Sequence, residues 1–459
     1  MVKFEGEIAF LGLGAMGFGM ATNLITNSLP VVGFDVWAPT LERFTQAGGS
    51  SSSTPREAVK NATYVVFMVA TAAQILSALF DEGTGAIEAL KQGAVLILSS
   101  TGPPDHAPNV RKLLDERGRS DVLVVDAPVS GGTIRAANGT LTILASGTEE
   151  ALSKGKPVLD AMAGPNLYII SGGLGAGTKV KMVHQVLAGI HIVMASEAMA
   201  FAAKLGLDTG KAYQALKEGE GSSWMFENRG SRMVVQDEKV HSALGIITKD
   251  VGIITAASRK STDNSGFPLF LSSTTEQVLA TGISSGFDRE DDAKLTKVYL
   301  PATPTLVLDL ASPATSSPPT FSPEETAKLK LVESAMKAVH LVSAMEAMSL
   351  GKRVGLDTKQ LFEIIKGAAG GSWLFKERIP ALLSGEWSTG GRTVGQVVDD
   401  VTEALTQANA LKFPLHLAST ALQVLQLAVL KGLGDEPDLA VSKIWDGVGE
   451  EGVLFPRKN

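Results

Sequence analysis

An internal repeat constrains the fold of this 459-residue chain more than any other feature. Residues 179–232 and 328–381 align without gaps and share 19 identities in 54 positions. The similarity resumes downstream, where "GFPLFLSSTTEQVL" is matched by "KFPLHLASTALQVL". Both copies consist of long helical patterns with almost no strand signal, and the period is too long for a solenoid. The sequence therefore predicts a duplicated helical domain, with a proline- and serine-rich linker between the copies.

The first 170 or so residues have a different pattern, in which short apolar runs alternate with helix-like segments. Five runs have the length and composition of β-strands: "IAFLGL", "PVVGFDV", "YVVFMVA", "AVLILSS" and "VLVVDAP". Their continuous apolarity favours a parallel sheet covered on both faces. We therefore expect an α/β Rossmann-type N-terminal domain followed by two tandem all-α domains. The expected domain bounds are 1–172, 173–300 and 326–459, with the linker at 301–325.

The segment "IAFLGLGAMGFGMA" joins the first strand to the first helix through Gly12, Gly14 and Gly17. This G-x-G-x-x-G spacing, between a strand and a helix, is typical of a dinucleotide site. The three glycines allow a tight turn, the approach of a pyrophosphate and close helix–strand packing, and the helix N-terminus attracts the phosphates. Asp35 ends the second strand, where a carboxylate accepts hydrogen bonds from the ribose and repels a 2′-phosphate. We therefore expect NAD, with NADP disfavoured.

Composition excludes several classes of function. The net charge of −7 argues against a nucleic-acid partner, and the absence of cysteine excludes disulfides and thiol chemistry. The six histidines show no metal-ligand spacing, so we expect no metal site. The longest apolar stretch contains His191 and Glu197, which favours a buried core helix over a membrane span. With no leader pattern before the first strand, we expect a soluble cytoplasmic protein.

The segment "DAPVSGGTIRAANGTLTILASG" follows the fifth strand and offers a hydroxyl and bare backbone N–H groups to a carboxylate. Together, "GLGAMG", "SSTGPP", "DAPVSGGTIRAANGTL" and "GAGTKVKMVHQ" resemble the β-hydroxyacid dehydrogenase family in order and spacing. The resemblance covers residues 8 to about 300, after which the helical part is repeated. It implies an NAD-dependent oxidoreductase for a short β-hydroxy acid, with helical domains like the C-terminal domain of 6-phosphogluconate dehydrogenase.

The resemblance also implies roles for individual residues. Lys181 is the implied catalytic acid and base. The implied substrate ligands are Ser130, Gly131, Gly132, His184, Gln185 and Asn228. The implied cofactor contacts are Gly12, Gly14, Ala15, Met16, Gly17, Asp35, Met68, Val69, Thr101 and Lys249.

The choice of Lys181 also follows from the residues themselves. Oxidation of an alcohol by hydride transfer needs a base for the hydroxyl proton, and the reverse reaction needs the same group as an acid. For this role burial has to lower the pKa of a lysine from about 10.4 towards neutrality. Lys179 and Lys181 both start the long apolar helix, but residues two apart face nearly opposite sides. Because Lys181 shares a face with His184 and Gln185, we expect Lys181 to be buried and Lys179 to face solvent.

The second helical copy has no nucleotide domain in front of it, so we expect it to be structural. Lys330 occupies the position of Lys181, but Glu333 replaces His184. A lysine and a glutamate at i, i+3 should pair, which would hold the lysine in its charged form. We expect the two copies to form an internal pseudo-dimer, in a protein that is a monomer or a weaker homo-oligomer.

Three questions stay open at this level. Most of the family has asparagine at the position of His184, and "HQVLAGIH" is closer to the L-threonate dehydrogenase branch, so His184 either binds substrate or supports its neighbours. The substrate is a β-hydroxy acid of the L-threonate, glycerate, tartronate or 3-hydroxyisobutyrate kind. The alternatives are an imine reductase of the same fold, against which Lys181 counts, and a non-catalytic dehydrogenase-like scaffold.

Overall fold

The computed structural model describes residues 6–259, 266–387 and 391–445. The chain divides into two compact units, Met1–Lys181 and Met182–Asn459. The first unit is the expected α/β domain together with the first turns of the long apolar helix. The second unit contains both helical copies, which pack into one body. Residues 446–459 of the expected second helical domain lie outside the described residues.

The first unit is built around one sheet. Its described strands are β1 Glu7–Leu11, β2 Val31–Phe34, β3 Ser50–Ser51, β4 Ala62–Phe67, β5 Val95–Leu98, β6 Leu123–Asp126, β7 Val129–Ser130, β8 Thr142–Gly147 and β9 Leu167–Ile169. The sheet order is β3-β2-β1-β4-β5-β6-β8-β7, and β9 pairs with β8. Strands β1 to β6 are parallel in the register that sets Ile8 beside Val31 and Tyr64. This is the Rossmann strand order, so the expected fold class is confirmed.

Helices cover both faces of this sheet. They are α1 Gly17–Thr26, α2 Ala38–Gln46, α3 Pro55–Val59, α4 Ala72–Phe80, α5 His106–Glu116, α6 Gly132–Ala137 and α7 Glu149–Ala163, with a 3₁₀ turn at Gly164–Asn166. Ile8 and Phe10 of β1 point into one apolar core, and Ala9 and Leu11 point into the other. Burial on both faces explains why the strands are continuously apolar in the sequence.

All five predicted strands are present, and four further strands were not predicted. Two of these, β3 and β7, have two residues each, which is below the length at which a sequence pattern is visible. Strand β8 pairs antiparallel with β6 and β7 at the far side of the sheet. It therefore departs from the all-parallel sheet that the sequence suggests.

The second unit continues the long helix α8 Ala176–Lys204, whose first turns belong to the first unit. The remaining helices of the first copy are α9 Thr209–Leu216, α10 Trp224–Met233, α11 Leu244–Ser258, α12 Phe270–Ser284 and α13 Thr296–Tyr299, which follows a 3₁₀ turn at Asp292–Leu295. The linker contains α14 Leu306–Asp309. The second copy consists of α15 Pro323–Arg353, α16 Thr358–Ile365, α17 Trp373–Ser384, α18 Val394–Ala410 and α19 His416–Ala428, then a π-helical turn Val429–Leu433 and a 3₁₀ helix Asp438–Trp445.

Helix α8 is long and apolar enough to cross a membrane, but its most apolar 18-residue window is entirely buried in the protein. Helix α8 is therefore a buried core helix of the fold. Glu197 near its centre is fully buried and has hydrogen-bond partners.

The two copies meet through reciprocal contacts, which form the inter-copy interface. Glu197 of α8 accepts hydrogen bonds from the N–H groups of Leu417 and Ala418 at the start of α19. Glu346, its equivalent on α15, accepts from the N–H groups of Leu271 and Ser272 at the start of α12. Each glutamate therefore caps a helix of the other copy. Such exchange is the mark of an isologous, twofold-related interface.

Equivalent residues of the two copies also touch each other directly, as residues on a twofold axis must. The His191 and His340 rings lie 4.4 Å apart between centroids. Thr274 Oγ1 and Thr420 Oγ1 are 2.8 Å apart. Ser223 and Ser372 form an antiparallel bridge, in which Trp224 N donates to Gly371 O and Trp373 N donates to Ser222 O.

The linker is fixed to the first copy at its start. The Thr209 N–H and hydroxyl donate to Leu310 O and Val307 O, and the Ser312 N–H donates to Asp208 Oδ1. The proline-rich segment is therefore anchored on the N-terminus of α9 before it leads into the second copy.

Candidate functional site

The glycine loop between β1 and α1 has the shape of a phosphate cradle. Gly12 has a φ of +98°, and a Cβ there would lie 2.5 Å from Met68 O. A Cβ on Gly17 would collide with Gly12 O. No atom lies within 4 Å of the Cβ position of Gly14, so the backbone is open at that point. Each glycine thus has the property that the dinucleotide fingerprint requires, and the residues present fit an NAD pyrophosphate.

Asp35 stands at the carboxyl end of β2, beside this loop. Its Oδ2 accepts a hydrogen bond from Leu13 N (2.7 Å) and its Oδ1 accepts one from Trp37 N (2.9 Å). The carboxylate is therefore held in place by the backbone on both sides. Carboxylate oxygens have lone pairs to spare, so Asp35 can still accept hydrogen bonds from ribose hydroxyls.

The other predicted cofactor residues of this unit line the same edge of the sheet. Ala15 and Met16 lead into α1, where a helix leaves its first N–H groups without helical partners. Met68 N donates to Leu11 O (2.8 Å), and Val69 N donates to Ser100 Oγ (2.9 Å). Thr101 follows Ser100 beyond the end of β5. These positions lie outside the carboxyl ends of β1, β4 and β5, where doubly wound folds bind nucleotides.

The predicted carboxylate-binding turn follows β6. Gly131 has a φ of +139° and Gly132 a φ of +71°, both in the left-handed region that favours glycine. Gly132 has open space at its Cβ position. Ser130, at the end of β7, is half-buried and precedes these bare backbone N–H groups. The turn therefore offers a hydroxyl and accessible N–H donors to an anionic group.

Asp126 at the end of β6 fixes the start of α8. Its Oδ1 accepts a hydrogen bond from Thr178 Oγ1 (2.6 Å), and its Oδ2 accepts from Thr178 N (2.8 Å) and Ser146 Oγ (3.2 Å). Burial raises the pKa of Asp126 to about 6, against the lowering effect of these hydrogen bonds. Thr178 lies one turn before Lys181, so Asp126 fixes the lysine's helix to the strand that leads into Ser130.

Lys181 and Lys179 differ in exposure. Lys181 is 6% exposed, whereas Lys179 is half-buried. Lys181 is buried as its spacing predicts, whereas Lys179 is less exposed than the expected solvent-facing residue. The catalytic role of Lys181 stays a prediction.

His184 and Gln185, one turn further along α8, belong to a chain of hydrogen bonds within the second unit. Gly370 N, in the loop after α16, donates to His184 Nε2 (3.1 Å). His184 Nδ1 lies 3.0 Å from Gln185 Oε1, and Gln185 Nε2 donates to Asp250 Oδ2 (2.6 Å). Lys249 Nζ is 3.4 Å from Asp250 Oδ1. The structure thus connects three predicted site residues, His184, Gln185 and Lys249, through Asp250.

Asn228 is not part of this chain. It is exposed on α10, where its Oδ1 accepts a hydrogen bond from Arg229 Nη1 (2.9 Å). Arg229 is buried and paired with Asp292. The predicted role of Asn228 in substrate binding stays a prediction.

The second copy corrects one expectation. Lys330 is exposed at the start of α15, and no ion pair joins it to Glu333 in the described part of the chain. The helix begins at Pro323, so Lys330 lies in its exposed N-terminal part, while Glu333 is half-buried beside Gly219 and Gly221. The lysine of the second copy is therefore solvated, not held by the glutamate.

Sequence reasoning missed the residues that support the site, namely Asp126 with Thr178, Asp250, and Gly370. Asp126 could have been suspected as a carboxylate at the end of an apolar strand, and Asp250 as the neighbour of Lys249. The contact from Gly370 depends on how the two copies pack, which has no local signal. Among the residues that the structure describes, no group of three or more histidine, aspartate or glutamate side chains could hold a metal ion.

Comparison with known proteins agrees with this organisation. Residues 7–173 match the NAD binding domain of 6-phosphogluconate dehydrogenase. The NAD-binding domain of NADP-dependent 3-hydroxyisobutyrate dehydrogenase matches twice, over 175–299 and 325–445. Two similar proteins are the L-threonate dehydrogenases of Pectobacterium atrosepticum, 39% identical over 64% of this chain and 93% of the relative, and of Escherichia coli K12, 36% identical over 64% and 95%.

Solved structures give the same result. A 3-hydroxyisobutyrate dehydrogenase from Salmonella typhimurium superposes with a TM-score of 0.57 at 35% identity, over 64% of this chain and 100% of its own. The 6-phosphogluconate dehydrogenase of Plasmodium falciparum gives a TM-score of 0.59 over 92% of both chains; at 15% identity it is similar in fold alone. With a nucleotide cradle, an anchored Lys181 helix and two matches to the same helical domain, the chain belongs to the β-hydroxyacid dehydrogenase family and is an NAD-dependent oxidoreductase.

Proposed function

We propose that the chain oxidises the hydroxyl group of a short, polar β-hydroxy acid of the L-threonate kind, with Lys181 as the general base. The observation that carries the proposal is the burial of Lys181 on a helix that Asp126 fixes to the strand leading into Ser130. A buried lysine one turn from a fixed point has few rotamers to sample. It is therefore suited to a role that requires a defined position.

In this proposal the unprotonated amine of Lys181 takes the proton of the substrate hydroxyl. In the reverse direction its ammonium returns a proton to the carbonyl oxygen. NAD, when bound, supplies the hydride acceptor. A general base has to be present as the neutral amine, and loss of hydration on burial is the general way in which proteins favour that form of a lysine.

Ser130, Gly131 and Gly132 would bind the substrate carboxylate. The support is the pair of left-handed glycines, the open space at Gly132 and the neighbouring hydroxyl. Backbone N–H groups in such a turn form a concavity suited to anions. A carboxylate held there would fix the distance from the acid group to the hydroxyl that Lys181 deprotonates, which favours acids of one length.

The cofactor preference would come from Asp35. A 2′-phosphate next to this carboxylate would be repelled, while a free ribose can donate hydrogen bonds to it. Asp35→Ala should therefore lower the activity with NAD and narrow its advantage over NADP, as measured by kcat/KM for both cofactors. Better activity of the unaltered enzyme with NADP would contradict this part of the proposal.

The duplication would provide, within one chain, a helical partner for the first copy. The support is the reciprocal capping by Glu197 and Glu346 and the contacts between equivalent residues. The proposal includes one active site per chain, in a cytoplasmic protein that needs no second subunit to complete it.

The proposal is tested by following NADH formation with L-threonate, D-glycerate, 3-hydroxyisobutyrate and tartronate analogues. We expect turnover of at least one polar hydroxy acid, and weaker turnover of the branched aliphatic acid. An identical screen with cyclic imines and NADPH addresses the imine reductase alternative, which the named dehydrogenase relatives disfavour. Imine reduction without oxidation of any hydroxy acid would overturn the proposal.

A further inference from the structure

A series of hydrogen bonds runs from Gly370 to Lys249, and the groups at its two ends determine which atom donates and which accepts in each bond. The carboxylate of Asp250 can only accept, so the amide nitrogen of Gln185 faces it and the amide oxygen faces His184. His184 Nδ1 must then donate to that oxygen. In the neutral ring this leaves Nε2 as an acceptor, and the group opposite Nε2 is the N–H of Gly370. All four members therefore agree on one arrangement of protons.

The chain is buried and tightly packed at the end that the second copy provides. His184 is 5% exposed and Asp250 is 6% exposed. A Cβ on Gly370 would lie 3.1 Å from His184 O and 3.3 Å from His184 Cδ2. A methyl group added at Gly370 would therefore crowd His184.

The other end of the chain has one unsatisfied atom. Asp250 Oδ1 is buried and has no hydrogen-bond partner, while Lys249 Nζ lies 3.4 Å from it in an ion pair. The Lys249 side chain is about half exposed, at 47%. A long exposed side chain loses much of its rotamer freedom when it is held, so the orientation of Asp250 determines how far Lys249 is ordered in advance.

From these contacts we propose that the second helical copy takes part in cofactor binding: Gly370 fixes the His184 ring, and Gln185 and Asp250 hold Lys249 ready for the cofactor. This inference rests on the proposed NAD-dependent function and on the predicted role of Lys249 as a cofactor ligand. It assigns His184, Gln185 and Asp250 as positioning residues. It also gives the duplicated copy a role in the site beyond packing.

The two copies offer a matched pair of substitutions that tests the role of Gly370. Gly370→Ala crowds His184, whereas Gly221→Ala at the equivalent position crowds Met336, also at 3.1 Å, and Glu333 instead. We expect Gly370→Ala to raise the dissociation constant for NADH about tenfold, the scale of a lost hydrogen bond to a charged group, and Gly221→Ala to change it less than twofold. Fluorescence titration with NADH needs no knowledge of the substrate. Equal effects of the two substitutions would overturn the proposal.

A double-mutant cycle tests the series of hydrogen bonds itself. It does not require that the Gly370→Ala variant folds. Lys249→Ala should weaken NADH binding about tenfold in the unaltered protein and by less than threefold when Gln185→Leu is already present, because both act through one contact. Equal factors in the two backgrounds would overturn this proposal and leave the proposed function intact. If Lys249→Ala has no effect on NADH binding in the unaltered protein, Lys249 is not a cofactor ligand. The predicted role of Lys249 and this proposal are then both wrong.

Discussion

The two helical copies are alike where they pack and different where chemistry is expected. Helices α8 to α12 recur in order as α15 to α19, and each copy pairs its own arginine and aspartate, Arg229 with Asp292 and Arg378 with Asp438. At the start of the long helix the copies diverge. Lys181 is buried, on the helix that Asp126 holds through Thr178, while Lys330 is exposed to solvent.

The residues one turn further on differ in the same way. His184 accepts a hydrogen bond from Gly370, while Glu333 lies beside Gly219 and Gly221. In the second copy, Asp400 follows the equivalent of Lys249 and pairs with Arg392 instead of an amide on the long helix. Duplication has thus kept the packing positions in both copies and the chemical positions in one. Substitutions at equivalent positions of the two copies, and a count of the cofactor sites, test this division.

The largest effects should come from the two capping glutamates. Glu197→Ala and Glu346→Ala each leave two buried backbone N–H groups and one hydroxyl, from Tyr299 or Ser272, without an acceptor. At about 1–3 kcal/mol for each orphaned group, we expect each substitution to lower the free energy of unfolding by about 4 kcal/mol. Denaturant unfolding followed by tryptophan fluorescence measures this, since Trp224, Trp373 and Trp445 are in the second unit.

The two substitutions should lower the free energy of unfolding by similar amounts. Because the contacts are reciprocal, the two values should agree within about 1 kcal/mol. A large loss for one glutamate and a negligible loss for the other would show that the interface is not twofold-related in its energetics.

The lysines should behave in opposite ways. Lys181→Ala should lower kcat at least a hundredfold with NADH binding unchanged, the usual scale for a positioned acid–base group. Lys330→Ala, the matched substitution in the second copy, should leave kcat within about twofold, because an exposed lysine there has no catalytic task. Steady-state kinetics on the identified acid measures both. Near-normal turnover in Lys181→Ala, or a comparable loss in Lys330→Ala, would contradict the division of roles.

A smaller, pH-dependent effect is expected at the inter-copy interface. Burial raises the pKa of Glu197 and of Glu346 to about 7, against the lowering effect of their hydrogen bonds. A carboxyl whose pKa rises on folding contributes most to the stability of the folded protein below its unfolded pKa, near 4.5. This stability is lost as the pH rises through 7. The glutamine of Glu197→Gln cannot titrate. Relative to this variant, the free energy of unfolding of the unaltered protein, measured by denaturant unfolding at each pH, should fall by about 2 kcal/mol between pH 5 and 7.

The comparison with the glutamine variant is needed because buried histidines act in the opposite direction. Burial lowers the pKa of His191 well below its usual value and that of His340 to about 3, so their contribution is lost as the pH falls. Glu346→Gln should give the same pH dependence as Glu197→Gln. A stability difference that does not vary with pH in either variant would contradict the account.

The sequence predicted the elements that depend on local pattern. The strands, the glycine loop, Asp35 and the burial of Lys181 all follow from spacing within a few residues. It did not reveal contacts between distant segments, such as Gly370 with His184 or Asp126 with Thr178. It also wrongly paired Lys330 with Glu333, because helical spacing allows that pair but cannot show that Glu333 faces the other copy.

The most direct test of the central claim is the number of NADH molecules bound per chain. Calorimetric titration of the full chain counts them independently of the substrate. Because the glycine loop, Asp35 and the carboxyl edge of the sheet occur once, ahead of the first copy, we expect one NADH per chain. Two equivalent NADH sites per chain would show that the second copy also has a cofactor site, and would contradict the account.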